Sequence, residues 1–317
     1  MKGILVQAPG LFTTVQDLGR EGFGPMGVSA SGAADAISLR IGNRLAGNAE
    51  GAAGLEMTLV GGAFIFERDA VIALTGADFG TLLDQMTVPI WSSTQVKAGQ
   101  TLTLGPSSSG ARSGARSYLC VQGGIVVEPF LGSASTHVLS GLGGFEGRAL
   151  RKGDRLEIGE GNSLLRKRTV SPEALERLRP RKVLRVTEAP QSDWFGESGW
   201  EMLLGSTFRV SEQSNRMGIR LEGPKIAVDA RREMITEGVS LGAIQVTPSG
   251  QPIILFVEQQ TTGGYPKIAN VISADFHSLG QLRPRDEVRF ERIEMDEALA
   301  LLREQEELLA SEELIQE

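Results

Sequence analysis

Apolar and polar positions alternate in short runs along most of the chain. "DRLEI" at Asp154–Ile158, "GAIQV" at Gly242–Val246 and "EVRF" at Glu287–Phe290 put every second residue on one face, the period of a strand with one buried side. Glycine separates these runs, 40 times in 317 residues, so a mainly β fold rich in turns is expected. Three segments depart from this period. In "SGAADAISLRIGNRLAGN" alanine, isoleucine and leucine recur at three and four, which predicts a helix ended by Gly47 and Asn48. Ser171 before Pro172 predicts a short capped helix that stops before Pro180. Met295, Ala298, Leu299, Leu302 and Leu309 predict a C-terminal amphipathic helix with a solvated acidic face.

Internal echoes organise the chain into two lobes. "IGNRLAG" (Ile41–Gly47) and "MGIRLEG" (Met217–Gly223) share the frame G-x-R-L-x-G, and upstream of each lies an Ala-Pro pair, Ala8-Pro9 and Ala189-Pro190. Downstream, "GRALRKGDRLEI" (Gly147–Ile158) echoes "GQLRPRDEVRF" (Gly280–Phe290). Two copies of one β-rich lobe explain these matches, the first with an insertion. The expected boundaries are 1–162 for the first lobe, 163–182 for a basic linker, 183–290 for the second lobe and 291–317 for the acidic helix. Shared residues, Arg44 with Arg220 and Asp154 with Asp286, then belong to scaffold, and a site between lobes would draw on segments present once.

Charge sharpens this division. The net charge is −7, but residues 291–317 hold ten acids against Arg292 and Arg303, so the body of the chain is close to neutral. Residues 163–185 carry eight basic residues against two acids and no aromatic residue to stack on a base, which argues for a linker and against nucleic-acid binding. No apolar run is long enough to span a membrane, and the start lacks a cleavable leader, so an unprocessed cytoplasmic protein is expected. The lone Cys120 sits in an apolar run and reads as a packed thiol.

Familiar catalytic patterns fail. "GFGPMG" is interrupted by Pro25 and has no βαβ context, "GVSASG" has Ser31 where a nucleophile elbow needs glycine, and His137 and His277 stand apart with no cysteine cluster. Acid, base or charge stabilisation therefore falls to Asp, Glu, Lys or Tyr. The stretch "QTTGGYPKIANVISA" from Gln260 is unlike the rest. Gly263 and Gly264 allow a close backbone approach, Gln260, Thr261 and Thr262 supply neutral donors and acceptors, Tyr265 offers a ring face and hydroxyl, and Lys267 is its one cation. A hairpin with a solvated Lys267 is the alternative, just as Asp35 either binds a ligand or caps its helix.

"SGAADAISLRIGNRLAGN", "LTGADF", "LGSAST", "RMGIRLEGP", "GAIQVTPSGQPIIL" and "QTTGGYPKIANVISAD", in this order, resemble the allophanate hydrolase subunit 2 type family, over about residues 1–290. Its members include biotin-dependent carboxyltransferases, the C subunit of 5-oxoprolinase and KipA-like antagonists that bind a kinase inhibitor. The resemblance implies two cyclophilin-like β-barrel lobes and the C subunit of an ATP-dependent 5-oxoprolinase, inactive alone. That complex opens the lactam of 5-oxoproline to glutamate with a subunit 1 type (B, KipI-like) partner and an A subunit of the LamB/YcsF type. ATP with magnesium would act in the complex. Two alternatives stay open: a carboxyltransferase half moving carboxylate from carboxybiotin to urea or a related amide, with biotin carried by another protein, and a non-catalytic KipA-like regulator that binds a kinase inhibitor. The resemblance further implies catalytic roles for Lys267, Tyr265 and Asp275, and substrate binding by Ser31, Asp35, Arg216, Gln245, Gln260, Thr262, Gly263 and Gly264. This chain departs from the family at "RPRD", where Pro-Gly-Asp is usual, and at "VEQQ" before the glycine pair.

Overall fold

The computed structural model of the chain describes residues 3–108, 110, 113–161, 167–229, 232 and 234–317. It is mainly β and divides into two compact units. The first holds residues up to Arg20, Ser31–Leu178 and Leu308–Glu317, and the second holds Glu21–Ala30 and Arg179–Glu307.

The first unit has two seven-stranded antiparallel sheets. One runs in the order Ile125–Val126, Arg155–Ile158, Ile4–Ala8, Ala63–Phe66, Thr101–Thr103, Leu82–Leu83, Met86–Thr87. The other runs Phe12–Gln16, Gly54–Thr58, Arg116–Val121, Ala70–Gly76, Ser92–Val96, Thr169–Val170, Ile315–Gln316. Alternate residues of the central strands serve two cores. Ile72, Leu74, Leu119 and Val121 join Ile4, Phe64 and Phe66 between the sheets. Ala73, Tyr118 and Cys120 face the other way, against helix α1 (Ala36–Ala46) with its Leu39, Ile41 and Leu45. Coverage on both faces is why Arg116–Val121 is buried at every position. Each of the three α1 side chains is fully buried, worth about 1.5–3 kcal/mol apiece. Cys120 is a packed thiol, and burial pushes its pKa up.

The ends of α1 follow the expected chemistry. Asp35 accepts from Ser38 N at 3.0 Å, and Gly47 leaves the helix at φ 82° with Asn48 N bonded to Asn43 O. Helix α2 (Pro172–Arg177) is likewise capped by Ser171, which accepts from Ala174 N.

Part of the expected linker is not a linker. Residues 162–166 lie outside the described residues, but Thr169–Val170 forms a strand beside Ser92–Val96 and Ile315–Gln316, and Val170, Ala174 and Leu178 are buried with α1. Ala174 and Leu178 lie one helical turn apart and are buried, while Arg177 and Arg179 beside them are exposed. The C-terminal segment is also not one independent element. Helix α5 (Met295–Ala310) begins in the second unit, while Leu309 and Leu314 are buried in the first. On α5 it is Ala298, Leu301, Leu308 and Leu309 that turn inward, and Met295 (56% exposed) and Leu299 (42%) do not.

In the second unit seven strands close a barrel in the order Val183–Glu188, Lys267–Val271, Ala243–Val246, Pro252–Leu255, Gly218–Glu222, Phe208–Val210, Glu287–Arg292. The closing pair, Val183–Glu188 with Glu287–Arg292, is parallel and the rest are antiparallel. Helices α3 (Gly196–Gly205) and α4 (Phe276–Gln281) belong to this unit.

The downstream echo is a true repeat. Asp154 accepts from Arg151 N at 2.7 Å and Asp286 from Arg283 N at 2.8 Å. The backbone of Asp154 and Gly153 brackets Val6 with two 2.8 Å bonds, as that of Asp286 and Arg285 brackets Val210. Gly153 has φ 95°, and Arg285 takes the same left-handed turn at φ 72°. The upstream echo is not. Arg44 lies in the last turn of α1, whereas Arg220 lies in a strand with Ile219 and Leu221 buried and Arg220 and Glu222 exposed. A six-residue frame is too short to carry a period, and neighbouring residues decide which period it joins.

Candidate functional site

Lys267 opens a barrel strand at a β-bulge: Ile244 pairs with Ala269 but Gln245 pairs with Lys267, leaving Ile268 as an extra residue. Such an insertion re-aims the side chains beside it. Lys267 is 3% exposed, which an ammonium tolerates only with close partners. Its Nζ forms an ion pair with Glu237 Oε1, and its backbone N donates to Gln191 Oε1 at 3.3 Å. Gln191 Nε2 donates to the same Glu237 oxygen at 3.0 Å. The hydrogen bond from Lys267, then that from Gln191, holds the Glu237 carboxyl below the usual carboxylate range.

Glu237 arrives on a two-residue strand, Glu237–Gly238, that pairs with Thr262–Gly263. The glycine-paired segment is therefore one half of a small ribbon whose other half delivers the carboxylate. Gly263 leaves room for two carboxamides there, because a Cβ would lie 2.5 Å from Gln245 Nε2 and 3.1 Å from Gln260 Nε2 and push them aside. Gln245 Nε2 also donates to Tyr265 O at 3.4 Å. Gln260, Thr262, Gly264 and Tyr265 are exposed. Around one buried ammonium the fold thus gathers a half-exposed carboxylate, and around the adjoining Gly263 backbone two carboxamides, polar groups able to hold and polarise an amide.

Other expected residues have different surroundings. Asp275 is fully buried, and both its oxygens are taken by Arg185: N at 2.8 Å and Nε at 3.1 Å on Oδ2, Nη2 at 2.5 Å on Oδ1. Three of the carboxylate's roughly four acceptor positions are thus filled by Arg185, the arrangement of a buried scaffold ion pair. Arg216 pairs with Glu258, Nε to Oε1 at 2.5 Å, with both side chains buried. In the first unit Ser31 donates to Thr136 O at 3.1 Å from a left-handed backbone, φ 57°. Asp35 accepts from both Ser38 N and Ser38 Oγ as the cap of α1.

Sequence reasoning missed Glu237 and Gln191 in the second unit, although Gln191 directly follows the Ala189-Pro190 pair. In the first unit it missed Asp17 and Arg20. Asp17 accepts from Ser133 Oγ and Ser135 Oγ at 2.6 Å and from Ala134 N at 2.7 Å, and Arg20 donates to Ser135 O and Phe130 O. Together they pin the loop that also provides Thr136.

Residues 26–292 match the family model described as carboxyltransferase domain, subdomain A and B. The chain belongs to this carboxyltransferase-domain family. It is 40% identical over 297 residues to a protein of Escherichia coli (strain K12) named as the C subunit of 5-oxoprolinase, covering 94% of this chain and 93% of the relative. A protein of the same name from Haemophilus influenzae is 38% identical, with 92% of each covered. Among solved structures, the urea amidolyase of K. lactis superposes with a TM-score of 0.89 at 30% identity, over 98% of this chain and 20% of that one. The urea carboxylase of Kluyveromyces lactis gives 0.88 at 31%, over 98% and 29%. Carboxyltransferase-family membership accounts for the two β-rich units. No helix among the described residues is long and apolar enough to cross a membrane.

Proposed function

We propose that this chain is the C subunit of an ATP-dependent 5-oxoprolinase, working with B and A type subunits to open the lactam of 5-oxoproline to glutamate. The observation that carries the reading is the buried Lys267 ammonium, held by Glu237 and Gln191 beside a glycine backbone flanked by Gln245 and Gln260. A lactam carbonyl is resonance-stabilised, and an ammonium in a poorly solvated site stabilises the negative charge that grows on its oxygen. The near full-length likeness to two proteins named as C subunits of 5-oxoprolinase supports the choice of lactam. ATP with magnesium enters at the level of the complex. The Lys267 group offers a single carboxylate, a poor donor set for magnesium, and no residue of this chain is assigned to the nucleotide. The test is ATP-dependent glutamate release from 5-oxoproline by the reconstituted complex with and without this chain. Loss of release on omission is expected, and full release without it overturns the proposal.

The likeness to the K. lactis urea enzymes favours a second reading, transfer of carboxylate from carboxybiotin to urea or a related amide, with biotin carried by another protein. Label transfer from carboxybiotin into urea, with no 5-oxoproline turnover, would establish it instead.

A further inference from the structure

Glu237 does more than neutralise Lys267. Its Oε1 accepts from both Lys267 Nζ and Gln191 Nε2, whereas its Oε2 accepts no hydrogen bond among the described residues, and the side chain is 43% exposed. Lys267 and Gln191 together hold Oε1, which leaves Oε2 as the open acceptor of a carboxylate paired with the buried ammonium. The ion pair thus puts a donor group, the Lys267 ammonium, and an unoccupied acceptor, Oε2, on bonded neighbours.

A five-membered lactam is held cis by its ring, so its C=O and N–H lie on the same edge as an acceptor beside a donor. Ureas present the same edge. We infer that Glu237 is a specificity-determining residue, accepting the N–H of a cis amide while Lys267 donates to its carbonyl oxygen. The inference rests on the reading of the Lys267 group as the substrate site. It selects lactams and ureas over lactones, because a lactone sets a ring oxygen where the N–H would be, lone pair against lone pair. Glu237 stays ionised at neutral pH under the hydrogen bonds from Lys267 and Gln191, so it cannot turn donor to rescue that contact. Sites built on a buried polar partner reject analogues that lack the matching hydrogen.

The experiment is titration calorimetry of the full chain with 5-oxoproline and with the lactone of the same shape, 5-oxotetrahydrofuran-2-carboxylate. Wild type is expected to favour the lactam by about 10- to 100-fold, reduced from the fully buried case because Glu237 is half-exposed. Glu237→Met should bring the ratio close to one, and Glu237→Gln, which keeps an acceptor oxygen, should restore part of it. General damage to the fold lowers both affinities together and leaves the ratio intact, so the ratio isolates the N–H contact. Equal wild-type affinities, or a lactam preference that survives in Glu237→Met, would overturn the inference and leave the lactam site standing. Binding of neither compound to wild type would overturn the site as well.

Discussion

Replacing Asp275 by asparagine removes the negative charge that neutralises the Arg185 guanidinium on the adjoining barrel strand. Asp275 is completely buried and receives three hydrogen bonds from Arg185, one from its backbone and two from its guanidinium. Breaking a buried pair by removing one partner costs about 3–5 kcal/mol, chiefly because the surviving charge stays desolvated. Asparagine keeps one acceptor oxygen but turns an NH2 toward a donor, so the lower end, about 3 kcal/mol, is expected. At about 2–4 °C per kcal/mol for a unit of this size, the melting temperature should fall by roughly 6–12 °C. Thermal unfolding followed by circular dichroism gives the shift. Glutamate release by the reconstituted complex, at a temperature where the variant is folded, gives the activity, which should stay within about twofold of wild type. A melting temperature within about 2 °C of wild type together with a ~100-fold loss of rate would refute the structural assignment and return Asp275 to the chemistry.

Lys267→Met should lower the maximal rate of the complex on the order of 10²-fold with the Michaelis constant nearly unchanged, since the ammonium serves charge that develops in the transition state; steady-state kinetics in which only the Michaelis constant rises would contradict this. Gly263→Ala forces a Cβ to within 2.5 Å of Gln245 Nε2, so the flanking carboxamides must move. It should weaken substrate binding at least tenfold while the melting temperature changes by only a few degrees, and unaltered affinity would remove Gln245 and Gln260 from the site. The depressed Glu237 carboxyl predicts a pH dependence of stability with a defined sign. Because its folded pKa lies below its unfolded one, its contribution is present above the ordinary glutamate range near 4.5 and is lost as pH falls through the folded value. Melting temperatures should therefore drop more steeply between about pH 5 and pH 3 in wild type than in Glu237→Gln, and parallel profiles would disprove the linkage.

Local chemistry was legible in the sequence wherever its cause is local. The left-handed stop at Gly47, the Ser171-Pro172 helix start and the alternation of Glu287–Phe290 depend on residues a few positions apart, and each is found where the pattern put it, while of the two readings left open for Asp35 the helix cap is the one its contacts fill. The Asp154 and Asp286 turns were readable for the same reason, even with Arg285 in glycine's place. Lys267 and the glycine pair stood out by composition, and Gln245, Gln260 and Tyr265 do gather with them, but what Lys267 touches did not follow from the chain. Glu237 lies 30 residues before it and Gln191 76, and only barrel closure and the Gly263 ribbon bring them together. The same reach hid the partner of Asp275, because Arg185 is 90 residues away in the chain. Arg44 and Arg220 show the converse, one six-residue frame resolved as a helix in one place and a strand in the other. Short-range spacing sets backbone preference, whereas burial and charge pairing depend on strands that meet only when the sheets close, and those meetings decide which polar residues face a ligand and which hold the scaffold.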